Sequence, residues 1–173
     1  PDEIVSLVSG QLRGLADVLA MEQLAILHVK PHGALYHLAA RNQTAAEALA
    51  QAVAEYDRGL RLFCLAGSAL AAEAGRAGLP VVQEAFADRA YRSDGTLVPR
   101  SQEGALLQTR EQVVRQLREM LDGYVTSIDG TQVPLQAESL CVHTDTPHAV
   151  EFVRLIRSVL ESAGVRIVRP RTP

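Results

Sequence analysis

The chain has 173 residues, of which 47% are hydrophobic and 21% charged, as expected for one globular domain with an ample core. Its net charge of -3 and its scattered basic residues argue against a nucleic-acid-binding protein. The sequence has no apolar run of the ~20 residues that a membrane-spanning helix needs and no signal-peptide pattern, so we expect no membrane association.

The two cysteines, Cys64 and Cys141, each lie in a short apolar run. We expect both to be buried and reduced, because disulfides are rare in the cytoplasm. This cysteine usage predicts a cytoplasmic protein, with a disulfide or redox pair as the alternative.

Apolar residues recur at helical spacing in several segments, most of which begin at a capping residue. Asp2 is the predicted cap of a helix over about 3–21, and Ser68 that of a helix over 69–76. The remaining predicted helices run from the capping box Thr44-x-x-Glu47 to about Tyr56, from Thr109-x-x-Gln112 to about Leu121, and onward from Thr146-Pro147.

Short apolar runs between these helices predict strands over 25–30, 60–67, 79–86, 139–143 and 165–168, and a hairpin of 124–128 with 131–135. Strands that alternate with amphipathic helices imply parallel strands and an α/β fold. A doubly wound sheet and a barrel are both compatible with this order, in a single domain over 1–173. The segment from Phe86 to Glu103 has little periodicity, and a loop of that length is functional or disordered.

Polar residues follow the carboxyl ends of three predicted strands. Lys30 ends the strand over 25–30. Glu84 lies at the end of the strand over 79–86, with Asp88 just beyond it. At the end of the strand over 139–143, His143 and Asp145 share one face. Because α/β folds place their sites at these strand ends, we expect the side chains to line one pocket.

Simpler interpretations stay open for individual residues. His28 is compatible with a hydrogen-bonded core histidine, and Lys30 with a structural ion pair to Glu84 or Asp88. Pro31-His32-Gly33 is compatible with a plain turn, although Gly33 would let the backbone approach a ligand closely. We expect His37 on the surface of the helix that follows.

Standard cofactor motifs are weak or missing. His28-x3-His32 has the spacing of metal ligands, but the two residues bracket a strand end, so we do not assign a metal. The sequence has no P-loop, no dinucleotide fingerprint and no nucleophile elbow. The segment Leu-Ala-Gly-Ser at 65–68 precedes a helix, and its N–H groups offer a weak anion site.

Four segments in this order carry a family resemblance: "HVKPHGALYH", "LAGS", "EAFADRAYRSDGTLVPRSQEGALL" and "SLCVHTDTPHAV". Together they resemble the LamB/YcsF family over essentially the whole chain, and the long "FADRxYxxDGxLVPR" block is the most specific part. The resemblance implies an irregular (β/α) barrel of the glycoside hydrolase/deacetylase-like type, without its N-terminal strands in this chain.

The activity that the resemblance implies is that of a hydrolase, the ATP-dependent 5-oxoprolinase. This enzyme opens the lactam of 5-oxoproline to glutamate, coupled to ATP hydrolysis. The implied cofactors are ATP and a divalent metal such as Mg²⁺. The implied partners are two further subunits, of the B and C types, and whether the chain also forms a homo-oligomer is left open.

Such a reaction needs cations for phosphates and for the substrate carboxylate, and a base for water. The candidate catalytic residues are Lys30, His32, Glu84, Asp88, His143 and Asp145. The candidate substrate- or phosphate-binding residues are Lys30, Gly33, Arg89, Tyr91 and Arg100. Among them we expect the carboxylates to act as base or Mg²⁺ ligands and the two histidines to donate protons or hydrogen bonds.

The sequence also departs from the family pattern. The motifs "DLNxDxGE", "CGxHAGD" and "GAHPSxPD" do not occur in it, so we expect about the first third of the family's sequence, and part of the site, to lie outside this chain. The family's His-Gly-Asp reads His143-Thr144-Asp145 here, for which we expect only a local change.

Two other functions remain compatible with the sequence. One is a stand-alone metal-dependent hydrolase that acts on a carbohydrate or amide, as a deacetylase-like barrel would permit. The other is a non-catalytic subunit that binds the substrate and presents it to its partners.

Overall fold

The computed structural model describes residues 1–143 and 149–168. Its contacts divide the chain into two compact units, 1–83 and a second that begins at Glu84. The single domain predicted over 1–173 stays a prediction, and each unit is considered by itself. The predicted start of the last helix at Thr146-Pro147 lies outside the described residues.

Six helices and six strands are present in the described residues. The helices are α1 (Asp2–Met21), α2 (Gly33–Arg41), α3 (Gln43–Tyr56), α4 (Ala69–Arg76), α5 (Arg110–Leu121) and α6 (Ala149–Ser162). The strands are β1 (His28–Val29), β2 (Arg61–Leu65), β3 (Val81–Phe86), β4 (Tyr124–Thr126), β5 (Gln132–Pro134) and β6 (Ser139–Cys141).

The first unit is built around α3, a helix with eight buried residues, six of which are alanine. A helix that is apolar on most of its surface is stable only when other elements cover it. Helices α1, α2 and α4 pack against it, and the small alanine side chains let them approach closely. Strand β2 is parallel to β1, with His28 opposite Arg61.

Two of the predicted helix caps are wrong. Asn42, not Thr44, caps α3, because its side chain accepts a hydrogen bond from the Ala45 N–H at 2.8 Å. Asp2 lies inside the first turn of α1, whose cap position is Pro1. The cap at Ser68 is confirmed, since its hydroxyl accepts from the Ala71 N–H.

In the second unit, β3 and β6 run parallel, and β4 and β5 form the predicted antiparallel hairpin. The predicted capping box at the start of α5 is confirmed. Helices α5 and α6 pack on each other through an apolar cluster, which includes Val113, Leu117, Phe152 and Ile156. The core of this unit therefore forms behind the strands that carry the candidate site.

The segment between β3 and α5 is ordered by its own backbone. Ala90 donates a hydrogen bond to the Ala105 carbonyl and accepts one from the Val98 N–H, and Leu107 donates to the Asp88 carbonyl. Ala90, Val98 and Ala105 also form a small buried cluster. The alternative that this segment is disordered is therefore wrong.

The last predicted strand, over 165–168, is not formed. The N–H of Val165 is used to close the end of α6, where it donates to the Leu160 carbonyl at 2.9 Å, and Gly164 adopts a φ of 78°. Such an ending satisfies the last carbonyls of a helix. The alternating apolar residues do not form a strand here, and Ile167 and Val168 stay exposed.

Helix α1 has the length and mean composition of a membrane span, although Arg13 and Asp17 interrupt its apolar residues. In the described part of the chain it alone is long and apolar enough, with a mean hydropathy of 1.3. One such helix is weak evidence, because core helices and signal sequences share these properties. Val8 and Leu12 are buried on the face of α1 that belongs to the core of the first unit.

The corrected cap of α3 gives a first prediction. Asn42→Ala should lower the free energy of unfolding by about 1 kcal/mol, because the Ala45 N–H loses its acceptor. Thr44→Ala is the matched control and should change it by a few tenths at most, since Thr44 is exposed and is not the cap. Urea unfolding of both variants measures this, and a larger cost at Thr44 would contradict the assignment.

The ordered segment gives a second prediction, on pH. Hydrogen bonds from the Thr96 hydroxyl and N–H hold the pKa of Asp94 below its ordinary value of 3.8. A depressed carboxyl pKa stabilises the fold above the unfolded pKa, and that contribution is lost as the pH falls through the folded one. Asp94→Ala should therefore destabilise the protein near pH 7 and have progressively less effect below about pH 4.

Thermal unfolding of the wild type and of Asp94→Ala between pH 2 and 7 measures this difference. Thr96→Val removes one of the two donors and should reduce the pH dependence. A difference between wild type and Asp94→Ala that is constant over the whole range would contradict the prediction.

Candidate functional site

The site in the second unit follows from the register of two parallel strands. Phe86 of β3 pairs with Cys141 of β6. Asp88 and His143 each lie two residues beyond this pair, just outside the two strands, and the segments meet again at these two residues. The two strand ends therefore bring a carboxylate and an imidazole together.

Asp88 and His143 form a double hydrogen bond. Oδ2 of Asp88 accepts from the backbone N–H of His143 at 3.0 Å and lies 3.0 Å from ring Nδ1. The Phe86 ring stacks on the imidazole, with centroids 5.6 Å apart and planes at 20°. A carboxylate on Nδ1 favours the tautomer with its proton there, which leaves the Nε2 lone pair for a ligand or a proton.

The second carboxylate oxygen of Asp88 has a different environment. Oδ1 is buried and has no hydrogen-bond partner among the described residues, while the residue as a whole is 2% exposed. Burying an oxygen of a carboxylate without a partner is unfavourable. Asp88 therefore orients His143 through one oxygen and has unused accepting capacity at the other.

Tyr91 secures the start of the segment that holds Asp88. Its hydroxyl oxygen accepts a hydrogen bond from the Phe86 N–H at 2.7 Å, and the side chain is fully buried. Burial raises the pKa of the Tyr91 phenol above its ordinary value of 10.0, and the carboxylates of Glu84 and Asp88 raise it further. The phenol is thus neutral at pH 7 and serves the backbone of the site.

Arg89 is also buried, with 1% of its surface exposed. Its Nη2 donates to the Val98 carbonyl at 2.6 Å, which ties the two sides of the long segment together. Glu84 is buried inside β3, two residues before its end, where it pairs with Ser139 in the register, so its predicted place at the strand end is wrong. Substrate binding by Arg89 or Tyr91 stays a prediction.

Sequence reasoning missed Gln116 of α5. Its amide Nε2 donates to the carbonyls of Phe86 and Arg89, at 2.8 and 2.9 Å. The signal that could have found it is its position: Val113 and Leu117 lie on the same helix face and are fully buried. A glutamine on the apolar face of a helix has to satisfy its amide inside the protein.

The remaining predicted residues of the first unit lie around the end of β1. Lys30 is half-buried, and His32 is exposed at the cap position of α2 without a side-chain cap hydrogen bond. Gly33 begins α2 with a φ of 58°, a conformation that other residues adopt only with strain. That these residues share a pocket with Asp88 and His143 stays a prediction.

Two further candidates lie apart from these. Arg100 is exposed on the segment between β3 and α5. Asp145 lies outside the described residues. The anion site predicted before α4 is partly occupied, because the N–H of Gly67 donates to the Gln83 side chain and that of Ser68 to the Leu65 carbonyl.

The implied cofactors can be compared with the side chains of residues 1–143 and 149–168. Within these ranges no group of three or more His, Cys, Asp or Glu side chains could hold a metal ion. The oxygen Oδ1 of Asp88 is a suitable Mg²⁺ ligand, but a single oxygen does not make a site. The described residues thus form no metal cluster by themselves, and ATP and a divalent metal as cofactors stay predictions.

The fold and these side chains define a mixed α/β protein with parallel strands, in which a buried carboxylate holds a partly exposed imidazole beyond two strand ends. The LamB/YcsF family model matches residues 1–172, and the chain belongs to this family. The predicted α/β class with parallel strands is confirmed by a similar crystal structure, that of the lactam utilization protein from Thermus thermophilus. The two are 43% identical with a TM-score of 0.82, over 96% of this chain and 67% of that one.

A second relative has a functional name. The chain is 47% identical over 171 residues to a protein of Symbiobacterium thermophilum that is named as the A subunit of 5-oxoprolinase. The match includes 98% of this chain and 66% of that protein, so the chain spans about two thirds of the length of its relatives.

The hydrogen bond of Tyr91 gives a third prediction. Tyr91→Phe should lower the free energy of unfolding by about 1–3 kcal/mol, because it leaves the buried Phe86 N–H without an acceptor. Tyr56→Phe is the matched control and should have little effect, since Tyr56 is 36% exposed. Equal costs in urea unfolding would show that the Tyr91 hydroxyl does not hold the strand end.

Proposed function

We propose that the chain acts as the A subunit of an ATP-dependent 5-oxoprolinase, a hydrolase that opens 5-oxo-L-proline to L-glutamate. Family membership and the name of the Symbiobacterium relative support this proposal. The observation that carries it is the Asp88–His143 pair, because hydrolysis of a lactam needs a base for water at a defined position.

In the proposed mechanism His143 is the general base. Its Nε2 takes a proton from water as the water oxygen attacks the lactam carbonyl carbon. Asp88 holds the imidazole through Nδ1 and stabilises the imidazolium that forms. The side chain of His143 is 24% exposed, which lets water reach the ring while its carboxylate partner stays buried.

Ring opening completes the reaction when the C–N bond breaks and the amine nitrogen receives the proton from the imidazolium. The products are then the new carboxylate and the free amine of glutamate. A lactam is a poor electrophile. ATP would supply the activation in the complex by transferring its γ-phosphoryl group to the lactam oxygen, and this group would leave as inorganic phosphate when the new carboxylate forms. Lys30 and Arg100 are the proposed cations for the substrate carboxylate and for phosphate oxygens, and His32 is a proposed hydrogen-bond donor.

The proposal also covers partner subunits, the complete fold and the location of the protein. The Symbiobacterium relative is named as one lettered subunit, which supports a complex of several subunits, in which we propose partners of the B and C types. An irregular (β/α) barrel and a cytoplasmic location belong to the same proposal.

A fourth prediction tests the site in the assembled three-subunit complex. Asp88→Asn and Lys30→Ala should each lower 5-oxoproline-dependent ATP hydrolysis by about 100-fold or more. A positioned base contributes about 10²–10⁴-fold, and a group that stabilises developing charge contributes about 10²–10³-fold. His37→Gln is the matched control, because His37 lies on α2 beside Tyr36 and is not among the candidate residues. It should leave the rate within about twofold of wild type, and circular dichroism checks that each variant folds.

Three outcomes of this experiment would contradict the proposal. Near-normal turnover in Asp88→Asn and Lys30→Ala would contradict the assignment of the active site. Lactam or amide hydrolysis without any ATP requirement would favour the metal-dependent hydrolase. Binding of 5-oxoproline without turnover by the complete complex would favour the substrate-binding subunit.

A further inference from the structure

Gln116 contacts the backbone on both sides of Asp88. Its amide nitrogen has two N–H donors, and each is used: one for the Phe86 carbonyl at 2.8 Å and one for the Arg89 carbonyl at 2.9 Å. Phe86 ends β3 and Arg89 directly follows Asp88, so the two accepting carbonyls bracket the residue that holds His143. The amide thus joins both ends of this short turn to helix α5.

The amide itself is held rigidly. Gln116 is 5% exposed, and its neighbours on the helix face, Val113 and Leu117, are fully buried in the cluster between α5 and α6. A side chain packed in this way has few alternative rotamers, because the interior is filled to high density. Its two hydrogen bonds therefore transmit the position of α5 to the turn.

The geometry leads us to infer that Gln116 is a positioning residue for the Asp88–His143 pair. It fixes the turn from Phe86 to Arg89 so that Oδ2 of Asp88 meets both the N–H and Nδ1 of His143. Tyr91 fixes only the Phe86 N–H at the first end of this turn. Gln116 alone, among the described residues, donates to a carbonyl on each side of Asp88.

This inference has a consequence for structure and one for turnover. Without the two donors the turn gains freedom and Oδ2 shifts from His143, so the His143 N–H loses the protection that its hydrogen bond provides. The consequence for turnover rests on the proposed function. Misplacing Asp88 there lowers kcat while leaving KM nearly unchanged, because Gln116 contacts no substrate in that mechanism.

The test compares Gln116→Met with Val113→Ala. Methionine has a similar length and no donor. Val113→Ala weakens the packing of the same helix face and of the cluster that includes Ala87 of the turn, but it keeps both donors of Gln116. Amide hydrogen exchange of the chain is followed by NMR for His143, with Leu117 of α5 as the internal reference. For Gln116→Met we expect the protection of His143 relative to Leu117 to fall at least tenfold, and for Val113→Ala we expect the ratio to stay within about twofold.

Turnover of the assembled complex provides the second measurement. We expect Gln116→Met to lower kcat at least tenfold with KM within about threefold, and Val113→Ala to lower the melting temperature without this split. If Gln116→Met does not fold, Gln116→Glu replaces it, because its carboxylate has the same length and lacks the N–H donors.

Two results would overturn the inference. One is an unchanged His143-to-Leu117 protection ratio in a folded Gln116 variant, and the other is the same loss of ratio in Val113→Ala. A wild-type complex that does not turn over 5-oxoproline would overturn the proposed function only, since the exchange ratio still decides whether Gln116 positions the pair.

Discussion

The parallel register of β3 on β6 is the constraint on which the candidate site depends. It places Phe86 opposite Cys141, so the segments that leave the two strands start side by side, and Asp88 meets His143 two residues further on. A shift of one residue would turn the His143 side chain to the opposite face and separate the pair. Pairing of the strands and assembly of the site are therefore a single structural event.

Burial determines what the pair can do chemically. A carboxylate with 2% exposure interacts strongly with its partner, because little water screens it. Burying this carboxylate also has an unfavourable desolvation free energy. The two hydrogen bonds to His143 compensate for it at Oδ2 only. At Oδ1 the desolvation free energy is not compensated within the described residues. Such a buried acceptor is found where a ligand or a reacting group binds to it.

The sequence predicted most helices and strands and the polar residues beyond the strand ends, because these depend on local periodicity and on a general property of parallel sheets. It could not predict which residues meet, since strand register and the depth of a side chain are set by long-range packing. Asn42 shows the same limit on a small scale: Thr44 with Glu47 fits a capping box, but the helix begins earlier, directly after Asn42. The strand predicted at 165–168 failed because alternation alone supplies no partner strand.

Gln116 connects the apolar core of the second unit with the turn that carries Asp88. The apolar cluster between α5 and α6 stabilises the helix, and the polar member among the buried residues of α5 is used on the turn that carries Asp88. Replacing it with an apolar residue would suit the core and leave two carbonyls of the turn without their shared donor. The polar side chain of Gln116 in this core therefore serves to hold the turn of the site and does not stabilise the helix.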